Sequence, residues 1–257
     1  MFLLNLPTFV CVALAIIMAV AISTSLYYVV HPFWAKGLSD DTRKTAELVA
    51  VRAGVIYGIV IGMMFANVRM EHFQMVQAIE SEASALTRLY REIERQGGAE
   101  KTSEIRKNIF EYVEFIVEEQ WPALKKTGKY PKDSAIQGAE AKLQPVWEYI
   151  TEKELATKSS ILRQLFDQVE HYQMMRLYDF RGSLLPLFWY IAIIGYFVTL
   201  STLYISPPSF RRCTLVALYS SMVAIVLLGI FILSHPYSAA AGVEPGIFKW
   251  LLESPSR

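Results

Sequence analysis

Two arginines bracket an uncharged stretch of this sequence and could act on ions at its two ends. Arg52 and Arg69 flank residues 53–68, which contain no charged side chain. In a symmetric ring of subunits each arginine would form a ring of positive charge, and such rings at the mouths of a pore select anions. Either arginine could instead be an interfacial anchor that snorkels to the membrane surface, which is the simpler role for Arg52.

Apolar residues recur at every fourth position between the two arginines. Val55, Ile59 and Met63, followed by Asn67, fall on one face of a helix. A ring of such side chains would form a hydrophobic constriction that closes by dewetting. The same face could equally contact lipid or pack within one subunit, and Asn67 could bind an anion or cross-link two helices.

Small residues form a second stripe beside the apolar one. Gly54, Gly58, Gly62 and Ala66 also recur at four-residue spacing. Such a stripe lets another helix backbone approach closely, which is how helices associate in a membrane, where the lipid is as apolar as the helix. We therefore expect a homo-oligomer that assembles through this face.

The helix that carries both stripes must extend well beyond a membrane. No glycine or proline occurs between Asn67 and Gly97. A helix over residues 46–96 would be about 75 Å long, against a hydrocarbon core of about 30 Å. Its distal half has a heptad pattern of apolar residues: Val76, Ile79, Ala83, Leu86, Tyr90 and Ile93. This pattern predicts a surface that packs against other helices or binds a partner protein.

Composition and hydropathy predict an integral membrane protein. The 257 residues are 53% hydrophobic with a formal net charge of +1, and the mean hydropathy is +0.30. Four apolar segments predict membrane-spanning helices: residues 6–30, which Pro32 would end, 46–68, 184–205 and 214–233. The predicted fold is an all-α membrane protein with four transmembrane helices and a helical bundle inserted between helices two and three.

The predicted domain boundaries follow from these segments. Residues 1–68 hold the first two transmembrane helices, 69–182 the extramembrane bundle and 183–237 the last two transmembrane helices. Residues 238–257 are expected to form a short segment that lies on the membrane surface. Basic residues near the span ends do not orient the chain, because six lie on the hairpin side and five on the bundle side.

Helix breakers and caps predict how the bundle is divided into helices. The predicted markers are a turn at Gly97 and Gly98, a stop at Pro122, a loop over 125–137, a short helix over 143–150, and a capping box of Thr151 and Glu154 that starts the last helix.

The sequence offers little support for chemistry other than ion passage. The histidines, His31, His72, His171 and His235, are far apart and lack the spacing of a helical metal site. Cys11 and Cys213 make neither a disulfide framework nor a zinc site. We expect no cofactor, no metal, no enzymatic activity and no nucleic-acid partner, since the chain has no basic patch interleaved with aromatic residues.

Four acidic residues of the bundle could do more than face water. Glu80, Glu82, Glu118 and Glu119 could bind a cation or face arginines such as Arg88 or Arg91. A solvated helix surface is the commoner role for such residues.

Several segments, in this order along the chain, resemble the bestrophin-like family of small bacterial membrane proteins. The matching segments are 80–86 (ESEASAL), 89–91 (LYR), 117–123 (VEEQWPA), Arg181 with 185–189 (LPLFW), and 235–237 (HPY). Together they extend along nearly the whole chain.

The resemblance implies a function and a set of site residues. Bestrophins are ring-shaped anion channels, usually pentameric, whose second span lines the pore and continues into a cytosolic helical domain. Their pore neck has apolar residues at four-residue spacing on that helix, and Val55, Ile59 and Met63, with Gly62 before Met63, are similar to it. The resemblance thus implies a pentamer that conducts small anions such as chloride across a bacterial inner membrane, with the bundle in the cytoplasm.

Two features of bestrophins lack a full counterpart in this sequence. The acidic calcium clasp that follows the last span of animal bestrophins has no counterpart here, so the resemblance does not support calcium gating. The aromatic-rich arginine motif after the pore helix is reduced to residues 69–73, RMEHF.

Two other classes of function remain open from the residues themselves. A membrane-anchored sensor or scaffold would bind a partner through the heptad of the long helix. A stator-like, ion-driven unit would have a similar outline of four spans with a large insertion. It requires an acidic residue in mid-membrane, which a second protein would have to supply here.

Overall fold

The computed structural model contains helices and no strand in the part of the chain that it describes, residues 7–34, 39–96, 99–127, 133–157, 160–179, 186–238 and 240–253. The helices are α1 (Thr8–Trp34), α2 (Asp40–Gln96), α3 (Ala99–Phe115), α4 (Trp121–Thr127), α5 (Asp133–Thr157), α6 (Ile161–Met174), α7 (Pro186–Leu203), α8 (Phe210–Leu233) and α9 (Gly246–Glu253). A first π-turn (Ile116–Gln120) joins α3 to α4, and a second π-turn (Met175–Asp179) comes after α6.

Among these helices, α1, α2 and α8 are long and apolar enough to cross a membrane. Helix α7 is also apolar but has 18 residues. That corresponds to about 27 Å, slightly less than a hydrocarbon core of about 30 Å. The structure therefore confirms an all-helical chain with at least three candidate membrane helices.

The chain divides into two compact units. Unit 1 comprises Met1–Met70 and Ser183–Ser234, and unit 2 comprises Glu71–Gly182 and His235–Arg257. Unit 1 thus holds α1, the first part of α2, α7 and α8. Unit 2 holds the rest of α2, α3 to α6, both π-turns and α9.

Tyrosine hydroxyls connect the segments of unit 1. In an apolar environment a buried hydroxyl must find a partner, and a backbone carbonyl can accept its hydrogen bond. Three buried tyrosines do so: Tyr27 donates to Ser206 O at 2.9 Å, Tyr57 to Ala192 O at 2.9 Å and Tyr204 to Ser23 O at 2.7 Å. A Cβ atom at Gly195 of α7 would lie 2.5 Å from Cδ2 of Tyr57, so only glycine allows this close approach.

The core of unit 2 is built from the predicted heptad of α2. Ile79, Ala83, Leu86 and Ile93 are buried there against α3, α5 and α6, with Val76 and Tyr90 at the edge of the core. Of the two roles predicted for this surface, packing against other helices of the chain is the one that these residues have in the structure.

The end of α1 differs from the prediction, since the helix continues through Pro32 to Trp34. Helix α2 begins at Asp40, six residues before the predicted start of the span, next to the turn that residues 37–40 predict as the lead to an N-cap. The Oγ of Ser39 accepts a hydrogen bond from the backbone N–H of Thr42 at 3.3 Å and caps the helix.

The predicted division of the bundle is also corrected. Pro122 does not end a helix but lies in the first turn of α4, where its missing N–H costs nothing. Of the predicted loop over 125–137, residues 125–127 belong to α4 and residues 133–137 to α5, and residues 128–132 lie outside the described part of the chain. The predicted short helix and capping box are both parts of α5, which has Pro145 inside it. The Oγ1 of Thr151 donates to the carbonyl of Trp147 within that helix and caps nothing. The turn at Gly97 and Gly98 lies outside the described residues.

The C-terminal helix α9 packs against the core of unit 2 through one of its faces. Phe248 of α9 is fully buried in the core of unit 2. Trp250 on the same helix is exposed. Burial of Phe248 gives α9 a structural role in the bundle.

Candidate functional site

Within unit 1, α2 buries one face and exposes the opposite one. Tyr57, Ile61, Met64 and Val68 are buried against α7 and α8. The predicted pore-lining residues lie on the other face, where Val55 is 58%, Ile59 58% and Met63 69% exposed. No element of unit 1 that the structure describes covers this apolar face.

The polar residues at the two ends of the run are exposed as well. At about 100° per residue, Arg52 falls within about 20° of Ile59 around the helix axis, whereas Asn67 and Arg69 fall about 80° to either side. Arg52 therefore shares the face of the apolar residues, and Asn67 and Arg69 border it.

Most residues of the small-residue stripe on α2 have free space beside them in the single chain. A Cβ atom at Gly58 or Gly62 would have no neighbour within 4 Å, and one at Gly54 would meet Thr199 at 3.7 Å. Ala66 is exposed. Apart from Gly54, these residues do not pack against a helix of their own chain within the described ranges.

A second candidate site is a buried ion pair in unit 2. Arg176 donates from Nε to Oε2 of Glu82 at 2.6 Å and from Nη2 to Oε1 at 3.1 Å. Both side chains are fully buried. Burial disfavours the charged form of Arg176, but the adjacent carboxylate outweighs it and raises the arginine pKa above its ordinary value.

Further hydrogen bonds extend this pair into a network of five side chains. Tyr112 OH donates to Oε1 of Glu82 at 2.6 Å, Nη1 of Arg176 donates to Oε1 of Gln120 at 2.7 Å, and Tyr237 OH donates to the carbonyl of Arg176 at 2.7 Å. Burial, and after it the negative charge of Glu82, raise the pKa of Tyr112 well above its ordinary value. Tyr112 therefore stays protonated and donates to the carboxylate.

Both π-turns place residues of this network. Gln120 ends the first π-turn and Arg176 lies in the second. A π-turn inserts one residue into a helix, rotates the next turn of the helix about its axis, and is found frequently at functional sites. In this chain each π-turn contains one polar side chain of the network, Gln120 or Arg176, and that side chain is buried.

A family model described as the Bestrophin-like domain matches residues 17–248. The chain belongs to the bestrophin-like family. The resemblance seen in the sequence is thereby confirmed over nearly the whole chain. No curated protein and no solved structure matches it significantly. Membership of this family, together with the apolar helices, indicates a membrane protein and suggests a channel-like function.

Three segments that carry the bestrophin-like resemblance meet at Arg176. Glu82 lies in segment 80–86, Gln120 in 117–123 and Tyr237 in 235–237. Sequence reasoning suggested Arg88 or Arg91 as partners of the acidic residues, and it did not single out Arg176. The signal available in the sequence was that Glu82, Gln120 and Tyr237 all lie in segments that carry the resemblance.

The other acidic candidates of the bestrophin-like chain, Glu80, Glu118 and Glu119, are exposed. No group of three or more His, Cys, Asp or Glu residues in the described ranges could hold a metal ion.

His72 lies in the unit 2 part of α2, and the nearby backbone of Ala241, in the loop before α9, favours the charged form of its ring and so acts to raise its pKa. The ring nitrogen Nε2 is buried and has no hydrogen-bond partner among the described residues. Burial lowers the pKa of His72, and the nearby backbone of Ala241 offsets part of that effect.

Acidification should therefore destabilise unit 2 through His72. Because the folded pKa lies below the unfolded value of about 6.5, folding favours the neutral ring, and stability is lost as pH falls from about 6.5 through the lowered pKa. We expect the Tm of the native protein to fall more steeply than that of His72→Gln between about pH 7 and pH 5. Circular dichroism melts test this, and parallel curves for the two proteins would contradict it.

Proposed function

We propose that this bestrophin-like protein is an oligomeric anion channel, not an enzyme, in which α2 lines the pore. The observation that carries the proposal is the apolar face of α2 in unit 1. Val55, Ile59 and Met63 lie there at regular spacing and more than half exposed. Family membership supports a channel-like function for such a face.

In the proposed assembly, copies of the chain form a ring, a pentamer by resemblance to bestrophins. Ile59 and Met63 form the constriction and Val55 lies nearer the far mouth. A hydrophobic constriction holds back water and strongly hydrated ions, and a weakly hydrated anion passes when it widens. Arg52 and Arg69 add positive charge at the two mouths, and Asn67 borders the bundle-side mouth.

The open glycines of α2 support close contact between copies. Gly58 and Gly62 have space around them within the single chain, and Ala66 continues the stripe. In the proposed ring these positions let the backbone of a neighbouring helix approach. Four spans, with α7 as the third, would place the bundle and both termini on one side, and the family resemblance assigns that side to the cytoplasm of a bacterial inner membrane.

The test is chloride efflux from liposomes that hold the purified protein. We expect the native protein to release chloride, and Ile59→Ala and Met63→Ala to change the rate or the halide preference because they widen the constriction. The control is Met222→Ala on α8, equally exposed but outside the proposed pore. A folded, oligomeric protein that moves no chloride would refute the proposal, and flux unaltered by both α2 variants would refute the role of α2.

A further inference from the structure

The buried network around Arg176 contains more hydrogen-bond donors than acceptors. A guanidinium group has five N–H groups. Arg176 donates with three of them, two to the carboxylate of Glu82 and one to Oε1 of Gln120. The other two, one on Nη1 and one on Nη2, form no hydrogen bond with a described residue, although the side chain is fully buried.

Two neighbouring side chains add donors that are also unused. Nε2 of Gln120 and Nε1 of Trp121 are buried without a hydrogen-bond partner among the described residues, and the two residues are 0% and 2% exposed. In Gln120 this nitrogen is bonded to the same carbon as the oxygen that accepts from Arg176, so it lies beside the guanidinium. The ring of Trp121 packs edge-on against Tyr237, whose hydroxyl donates to the carbonyl of Arg176.

We call the spare N–H groups of Arg176, Nε2 of Gln120 and Nε1 of Trp121 the donor cluster. A buried donor without an acceptor destabilises a fold. Water relieves such a surplus only in part, because a water molecule that accepts hydrogen bonds brings two O–H groups that need acceptors of their own. An anion accepts hydrogen bonds and brings no donor, so it removes the surplus.

The arrangement of charge around Arg176 also suits an anion. Glu82 binds the edge of the guanidinium formed by Nε and Nη2, whereas Gln120 binds Nη1. Nε2 of Gln120 therefore lies on the side of the guanidinium away from the carboxylate. An isolated anion in a protein core is costly, but here it would accept charge-assisted hydrogen bonds from an arginine, which are about twice as strong as neutral ones.

We propose that a small monovalent anion, for which chloride is the probe, binds to the donor cluster in the core of unit 2. All the residues involved belong to unit 2, so the inference does not depend on the proposed pore. Because the site is fully buried, the anion enters while the bundle is open and then stabilises the closed form. It is a structural ligand of the bundle, distinct from the ions that the proposed channel conducts.

The experiment follows thermal unfolding of the full-length protein in detergent by circular dichroism. Chloride replaces gluconate stepwise at a constant ionic strength of about 0.2 M, so that screening does not change. Gluconate is too large for a fully buried site. A ligand that binds the folded state alone raises Tm as its concentration exceeds Kd. We expect the Tm of the native protein to rise by about 3 °C or more and the half-maximal effect to define a Kd.

Three variants locate the effect. Gln120→Glu keeps an acceptor for Nη1 of Arg176 and supplies its own negative charge, so its Tm should be the same in chloride and in gluconate. Trp121→Phe removes one donor and should raise the half-maximal chloride concentration about tenfold, the loss of one hydrogen bond. The matched control is Trp250→Phe on α9, which is 57% exposed and should respond as native.

A native Tm that is the same in the two salts overturns the inference. A response of Gln120→Glu equal to that of the native protein also overturns it, because the chloride would then bind elsewhere. If Gln120→Glu does not fold, Trp121→Phe decides, and a chloride response equal to that of Trp250→Phe refutes the site. None of these results bears on the proposed pore, which the efflux experiment tests separately.

Discussion

Glu82→Gln should lower the free energy of unfolding of unit 2 by about 3–5 kcal/mol. The substitution keeps the size of the side chain but removes the charge that compensates Arg176. Both groups are fully buried, so the remaining guanidinium cannot recover its hydration without opening the core. The guanidinium of Arg176 would also face the amide NH2 group of the new glutamine, which is a donor, where it now faces a carboxylate oxygen that accepts its hydrogen bond. Denaturant unfolding followed by circular dichroism measures the loss.

The same substitution at Glu111 is the matched control. Glu111 accepts from Lys142 at 2.7 Å, but the two side chains are 34% and 42% exposed. Exposed pairs contribute about 0–1 kcal/mol, so Glu111→Gln should cost no more than that. Equal losses for Glu82→Gln and Glu111→Gln would show that the buried pair does not carry the stability assigned to it.

Met63→Glu should abolish most chloride flux while the protein stays folded, whereas Met222→Glu should impair folding or insertion. The two methionines are each 69% exposed in unit 1, so neither substitution disturbs packing within the chain. In the proposed ring Met63 faces a water-filled path, where a ring of carboxylates repels anions and should reduce flux about tenfold or more. Met222 on α8 would face lipid, where a charged side chain costs about 2–3 kcal/mol.

Thermal melts in detergent and chloride efflux distinguish the two environments. Met63→Gln serves as the neutral control for Met63→Glu and should retain much of the flux. If Met63→Glu destabilises the protein as much as Met222→Glu, the exposed face of α2 contacts lipid, and the pore must be sought on another helix.

The sequence predicted the helical class and the two faces of α2 because charge-free runs and helical periodicity are local signals. The same periodicity identified the heptad correctly as an apolar surface. It could not tell whether Leu86 and Ile93 would contact a foreign protein or the chain's own bundle, because both choices bury the same residues.

Rules about proline failed where packing outweighed them. A proline inside a helix costs about 3 kcal/mol, which a break in the helix would save, yet α5 continues through Pro145. In the structure the proline itself is exposed, and Val146 and Ile150 just after it are fully buried. Burial of these two side chains recovers about as much free energy as the break would save.

The Arg176 network was beyond prediction from single segments. Its central ion pair, Arg176 with Glu82, joins residues 94 positions apart. The position of a charged residue in a sequence does not indicate which residue it pairs with. Only the fold brings Glu82, Gln120 and Tyr237 to the same arginine.

Unit 2 is discontinuous in the chain, and this has a consequence for biosynthesis. A ribosome that has completed Glu71–Gly182 has not yet made Tyr237, whose hydroxyl donates to the carbonyl of Arg176, or Phe248, which is buried in the same core. Because chains emerge from the N-terminus, the bundle stays unfinished until the two apolar helices α7 and α8 have been translated. The bundle can therefore close only after α8 has been translated.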